Sequence, residues 1–237
     1  MFCGFRSAAL THAGRLRATN QDAFIERAEL APTMGLWAVA DGMGGHRDGD
    51  VASNMVCSTL AALKPRPTLE ATVLELQRRV NLVNARLYAA AVRPINPIQS
   101  GTTLVALLAQ RATCAIVWAG DSRVYRLRQR RFTQLTTDHT LAAQHPSHAY
   151  PDEVVHHGIT RAVGGEDVLR LDVRHDEIQP GDRYLLCSDG LTHELADERI
   201  EPLLREGDVG RCAQALLDAT LATSARDNVT VVVVETA

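Results

Sequence analysis

Apolar residues along the chain fall into two rhythms. Short, nearly continuous apolar runs bounded by turn residues read as strands buried on both faces, and apolar positions spaced by three and four read as helices. Residues 4–11 and 22–29 read as early strands around an irregular loop, GRLRATNQD, and residues 36–40 as the next strand. Residues 50–63 put Ala52, Val56, Leu60 and Leu63 on one helical face before Lys64 and Pro65 stop it. The clearest helix covers 68–93, where Leu69, Val73, Leu76, Val80, Val83 and Leu87 alternate spacings of four and three. Thr68 can cap its start, and Pro94 follows its end. The same spacing would serve a partner-binding coiled coil, but the run is short, which favours a helix packed on a sheet. From Gly101 the period changes. TTLVALLAQ, TCAIVWAG, SRVYRLR and RFTQL read as strands of an antiparallel meander. Residues 138–165 are polar, rich in histidine and without a period. Residues 172–177 and 184–187 return to strand, joined by the Pro180-Gly181-Asp182 turn. Residues 196–204 and 209–223 read as helices, and 229–235 as a closing strand.

There is no repeat, low-complexity tract or linker-like stretch, so residues 1–237 are expected to form a single domain. Strands before and after a helical pair imply two sheets with helices outside. Composition narrows the class. The chain is 46% hydrophobic with a net charge of −3, which gives a sizeable core, no strongly basic face and no expectation of nucleic acid. The five cysteines are scattered without C-x-x-C spacing, three of them inside apolar runs or helical patterns as small buried hydrophobes would be, and a reducing cytoplasm fits them. No run approaches the about 20 apolar residues a bilayer span needs, and the first residues lack a long apolar signal core.

Candidate chemistry sits at the strand ends. LWAVADGMGG runs apolar into Asp41 and then becomes nearly all glycine. CAIVWAGDSR runs into Gly120-Asp121, RYLLCSDGL into Ser188-Asp189-Gly190, and Arg226-Asp227-Asn228 opens the last strand. One such Asp is an ordinary Asp-Gly turn; four at strand mouths suggest convergence on one site. Clustered carboxylates repel and rise in pKa, and divalent cations remove that conflict. Oxygen donors without Cys or His spacing point to Mg²⁺ or Mn²⁺.

The ordered set R-x-x-N-Q-D (Arg17 to Asp22), DGMGGH (Asp41 to His46), SGTT (Ser100 to Thr103), GDSR (Gly120 to Arg123), RAVG (Arg161 to Gly164), SDG (Ser188 to Gly190) and DN (Asp227, Asn228) resembles the metal-dependent protein phosphatases. These are the type 2C serine/threonine phosphatases, here in a compact bacterial form. The resemblance implies an α+β, four-layer αββα sandwich with two mostly antiparallel sheets. It implies two core Mn²⁺ or Mg²⁺ ions with Asp41 bridging them, the Gly42 carbonyl on one, and Asp189 and Asp227 on the other. Asp22 matches an aspartate that orients metal-bound water, and Asp121 one that helps hold a third, weaker ion. Arg17 matches the phosphate-binding arginine, whose planar fork suits a bidentate contact; a solvated loop arginine is the alternative.

Two positions depart from the family pattern. Met43 follows Asp41-Gly42 where some members carry a proposed acid histidine. His46 can assist leaving-group protonation, or be a loop histidine beside an acidic site. Gln21 stands where many relatives carry Glu. His139, His145, His148, His156 and His157 lack metal-ligand spacing and read as part of a surface flap. Ser122 and Ser188 read as hydrogen-bonding neighbours of the aspartates, since no G-x-S-x-G elbow is present. The expected function is hydrolysis of protein phosphoserine and phosphothreonine in the cytoplasm, by a monomer opposing a bacterial Ser/Thr kinase, without nucleic-acid or membrane partners. The competing readings are an inactive phosphatase fold used for binding or sensing, and a phosphatase of small phosphate esters.

Overall fold

The computed structural model describes residues 4–44, 49–93, 98, 100–144 and 158–236. His46, His145, His148, His156 and His157 lie outside the described residues. Among the described residues, eleven strands form two antiparallel sheets. The first contains β1 (Phe5–His12), β11 (Val229–Thr236), β10 (Arg183–Cys187), β7 (Arg123–Arg128) and β8 (Arg131–Gln134), in that spatial order. The second runs β2 (Asp22–Ala31), β3 (Met34–Gly44), β5 (Leu104–Gln110), β6 (Thr113–Ala119) and β9 (Asp172–Glu177), with the short β4 (Ser100–Thr102) also paired to β3. Helices α1 (Gly49–Ala61) and α2 (Leu69–Ala91) cover the second sheet. Short turns α3 (Leu141–Gln144) and α4 (Asp189–Thr192) precede α5 (Asp197–Arg205) and α6 (Val209–Leu221), which cover the first.

Strand alternation explains the four layers. In β3, Leu36, Ala38 and Ala40 join the core under α1 and α2, while Trp37 and Val39 face the other sheet. In β10, Tyr184 and Leu186 face inward between the sheets, and Leu185 and Cys187 pack under α5 and α6. A strand apolar on both faces needs a partner layer on each, hence helix, sheet, sheet, helix. Truncating a fully buried residue such as Leu36 to Ala costs about 2–5 kcal/mol.

Element positions match the hydrophobic pattern within a few residues. Thr68 caps α2, its side-chain oxygen accepting from Ala71 N at 3.1 Å. Leu69, Val73, Leu76, Val80, Val83 and Leu87 are buried against the sheet side, so α2 is a packed helix rather than a coiled-coil strand. One expectation is corrected. The strands after Gly101 do not form one meander: β5 and β6 pair in one sheet, and the chain then crosses at 120–122 so that β7 and β8 lie in the other. Residues 172–177 and 183–187 also lie in different sheets, so the Pro180-Gly181-Asp182 turn is a crossover. Period alone cannot report a sheet change, because it describes which faces of a strand are apolar and not which strand pairs with it.

Candidate active site

The strand bearing Asp41 does not end there, as its sequence suggests. β3 continues to Gly44 but changes partner, pairing with β5 through Val39 and with β4 at Gly42–Gly44. On its other side Asp41 lies directly opposite Asp22 of β2. Like charges in that register repel. Asp41 is clasped by its backbone: its N–H donates to Thr103 Oγ1 (3.0 Å), and its carbonyl accepts from Thr103 N (2.9 Å) and Thr102 Oγ1 (2.9 Å).

Residues of the other sheet meet this pair. Ser188, at the end of β10, donates to Asp22 Oδ2 at 2.8 Å, and Thr230 of β11 donates to the same oxygen at 2.7 Å. Asp189 opens α4, where its neighbour Gly190 sits so close to Asn228 that a Cβ would lie 1.9 Å from the Asn228 carbonyl oxygen. Gly42 is equally constrained, since a Cβ there would meet Gly49 O at 2.1 Å. Only bare backbone fits at these two positions.

Asn228 clasps the 13–21 loop. Its amide donates to Ala13 O (3.0 Å) and Thr19 O (2.9 Å), and its Oδ1 accepts from Gln21 N (2.8 Å). The loop thereby places Arg17 Nη2 2.7 Å from Asp227 Oδ2. Arg17 and Asp227 form this pair at a partly exposed position. A cavity of about 410 Å³ opens beside them, lined by Arg17, Gly190, His193, Glu194, Arg226 and Asp227. A second, of about 350 Å³, is lined by Asp121, Arg123, Asp138, Asp189, Thr192 and His193.

The electrostatics identify the conflict the sequence anticipates. Burial, then Asp22, Asp189, Asp121 and Asp227, push Asp41 well above the usual carboxylate range. Burial raises Asp22 to about 6, against hydrogen bonds from Thr230 and Ser188 that hold it down. Asp121 is raised to about 7 by burial and then by Asp189. Burial and Asp227 raise Asp189 to about 7. Among the described residues, Oδ1 of Asp22, of Asp121 and of Asp189 is buried without a hydrogen-bond partner. Buried ionisable oxygens with nothing to donate to them suit hard cations.

Among the described residues, no three Asp, Glu, His or Cys side chains are arranged as a ready-made metal cage. Two features account for this. Asp227 is paired with Arg17, and the Gly42 donor that the resemblance implies is a backbone carbonyl, not a side chain. Mg²⁺-type ions also keep several waters and need few protein ligands. The donor set therefore fits a hydrated pair of hard cations.

The structure brings together Arg17, Asp22, Asp41, Gly42, Asp189 and Asp227, with Asp121 across the second cavity from Asp189. Ser188 hydrogen-bonds an aspartate, Asp22, whereas Ser122 Oγ lies 2.7 Å from Thr103 Oγ1. His139 corrects the surface-flap expectation, because it is 5% exposed and fully engaged. His193 escaped the sequence reading. Its Nδ1 lies 3.5 Å from Asp189 Oδ2, and its signal was the i, i+4 spacing within DGLTH. Asn228 and Thr103 were present in the motifs, but their clasping roles need the fold.

This arrangement of two stacked sheets with aspartates at their shared edge is that of a known class. The protein phosphatase 2C family profile matches residues 12–224, and the chain belongs to that family. It is 35% identical over 240 residues to the serine/threonine protein phosphatase PstP of Mycobacterium tuberculosis, covering 97% of this chain and 45% of that protein. The chain thus spans about half the length of that relative. Among solved structures, PppA, described as a key regulatory component of T6SS in Pseudomonas aeruginosa, superposes with a TM-score of 0.91 at 34% identity, covering 100% of this chain and 99% of that one. The catalytic domain of PstP, in complex with two manganese ions, superposes with a TM-score of 0.85 at 36% identity, covering 98% of each chain.

Proposed function

We propose that residues 1–237 form one phosphatase domain that hydrolyses phosphoserine and phosphothreonine on proteins, with Mn²⁺ or Mg²⁺ as cofactor. The observation that carries this reading is the convergence of buried aspartates from both sheets, three of them with unpartnered oxygens. The PstP catalytic domain, 36% identical, was solved with two manganese ions. Asp41, the Gly42 carbonyl, Asp189 and Asp227 would hold the two ions. Asp121 would serve a third, weaker ion together with Asp189. Bound there, the cations supply an activated water nucleophile and neutralise charge on the phosphoryl group.

The chain's own residues do the rest. Asp22, fixed by Ser188 and Thr230, orients the attacking water through Oδ1. Arg17, on its clasped loop, turns from Asp227 to grip the phosphate with its planar fork. His46 is assigned to leaving-group protonation. The aspartate set reads only phosphate, and the cavity beside Arg17 is where the rest of the substrate would lie. The proposed partners are phosphoproteins and an opposing Ser/Thr kinase, in the cytoplasm, with the chain a monomer. Among the described residues no helix is long and apolar enough to cross a membrane.

The test is a metal-titrated assay on a phosphothreonine peptide and a generic aryl phosphate, side by side. Turnover of both is expected with Mn²⁺ or Mg²⁺, with higher kcat/KM for the peptide, and loss of both in chelator. Full activity of metal-stripped protein in excess EDTA refutes the two-ion mechanism. Turnover of the aryl phosphate alone refutes the protein substrate.

A further inference from the structure

Asp121 rides on the crossover between the sheets, and the residues on either side of it are locked. Ser122 is held by Thr103, which also clasps Asp41. On the other side, Gly120 has φ +108, and a Cβ there would meet Thr103 Cγ2 at 2.6 Å. Its N–H points inward and donates to His139 Nδ1 at 3.1 Å, while its carbonyl accepts from His139 N at 2.9 Å. His139 therefore grips Gly120 at both of its backbone groups.

The imidazole is itself fixed. Because Nδ1 accepts, the proton of the neutral ring is on Nε2, which donates to Asp172 Oδ2 at 3.2 Å. Arg161 Nη1 donates to Asp172 Oδ1 at 2.6 Å. It also lies 3.1 Å from Nε2, but both nitrogens then carry hydrogen, so the Asp172 carboxylate is what joins them. Trp118 stacks on the ring, with centroids 6.1 Å apart and planes 9° apart, and its own N–H is held by Thr137 O at 2.9 Å. Burial disfavours the imidazolium, Asp172 opposes that and Arg161 reinforces it, with a net lowering of the His139 pKa. Thr160 N, next to Arg161, donates to His139 O at 2.8 Å.

We infer that His139 is a positioning residue for Asp121: its Nδ1 fixes the Gly120 peptide, and Asp172 with Arg161 fixes the imidazole. It touches neither substrate nor the reacting atoms. Without the acceptor, the Gly120 N–H is buried and unsatisfied, and the peptide bearing Asp121 is released from its orientation. Asp121, whose Oδ1 is buried without a partner, would then lose its fixed placement beside the cavity it lines with Asp189 and His193. The catalytic consequence rests on the proposed phosphatase reading; the backbone clasp does not.

The experiment compares wild type with His139→Ala, His139→Asn, Asp172→Ala and Asp121→Asn. Asparagine keeps an acceptor near the Nδ1 position but cannot reach Asp172. Calorimetric Mn²⁺ titration is read alongside kcat and KM on a phosphothreonine peptide. His139→Ala is expected to weaken the Asp121-dependent, weaker Mn²⁺ phase by about 10-fold or more, as removal of an outer-shell orienting group does. The two tight ions should be unchanged, and kcat should fall with KM nearly constant. His139→Asn should recover most of the affinity, and Asp172→Ala should fall between. Two results overturn the inference: a His139→Ala variant that loses only thermal stability, and a wild-type isotherm with no phase sensitive to Asp121→Asn. Should His139→Ala fail to fold, nitrogen NMR of the wild-type imidazole in Mg²⁺ decides. A neutral ring protonated at Nε2, with a hydrogen-bonded Gly120 amide, supports the clasp, and a ring protonated at Nδ1 refutes it. If wild type turns over no phosphoester, the phosphatase reading fails, while the isotherm and imidazole spectrum still decide the role of His139.

Discussion

Replacing Asp189 by asparagine removes one negative charge from a buried aspartate cluster with almost no change in shape. In the folded protein, burial and Asp227 lift the Asp189 carboxyl from its ordinary 3.8 to about 7. A rise of that size corresponds to about 4 kcal/mol of unfavourable ionisation at neutral pH. The sign follows from linkage: the unfolded chain releases this proton first, so stability is present below pH 4 and is lost as the pH climbs towards 7. In chelator at pH 7.5, Asp189→Asn should therefore stabilise the protein by about 2–4 kcal/mol, raising the Tm by roughly 5–10 °C for a domain of this size. At pH 4.5 the wild-type carboxyl is already protonated in the fold, and the gain should shrink to about 1 kcal/mol. Saturating Mn²⁺ should reverse the order under the proposed ligand role of Asp189, because binding then stabilises the protein that retains the carboxylate more than the variant. Thermal melts at the two pH values, with EDTA or Mn²⁺, read all four conditions. An Asp189→Asn variant that melts at or below wild type in EDTA at pH 7.5 would refute the electrostatic reading.

Arg17→Ala should raise KM for a phosphopeptide by about 10- to 150-fold, the worth of a charge-assisted bidentate contact, and Arg17→Lys should recover only part. Inhibition by free phosphate should weaken in parallel; unchanged KM and unchanged phosphate inhibition would rule out the clamp. Asp121→Asn should leave the two tight ions bound and lower kcat, which calorimetry and steady-state kinetics check together. Gly190→Ala should prevent folding or abolish activity, because its methyl would lie 1.9 Å from the Asn228 carbonyl oxygen; a folded, fully active variant by circular dichroism and turnover would contradict the close approach.

The elements were legible because their signals are local. The 3–4 spacing of Leu69 to Leu87 and the cap at Thr68 place α2, and the Val231–Val234 run places β11. The aspartates were legible because each follows or opens an apolar run. What the sequence withheld depends on pairing between distant segments. Whether β7 continues the sheet of β6 or crosses to the other one is invisible to hydrophobic period, which does not report a strand's partner. The opposition of Asp22 and Asp41 is a matter of strand register. The Arg17–Asp227 pair, the Asn228 clasp and the burial of His139 all join residues far apart in the chain. For His139 the polar, histidine-rich surroundings suggested a solvated segment, while stacking on Trp118 decided the outcome.

The aspartates are shared between two sheets, and the contacts that join them link distant parts of the chain. Asp22 and Asp41 belong to one, while Asp189 and Asp227 flank strands of the other. The bonds that join them, Ser188 and Thr230 to Asp22, span 166 and 208 residues of chain. Loop closures of that length are slow, so the seam should still be open at the folding barrier. A cation seated across such a seam then acts as a latch. It would leave the refolding rate nearly untouched and lower the unfolding rate, lengthening the lifetime of the native state. Stopped-flow refolding and unfolding with and without Mg²⁺ would read that asymmetry directly.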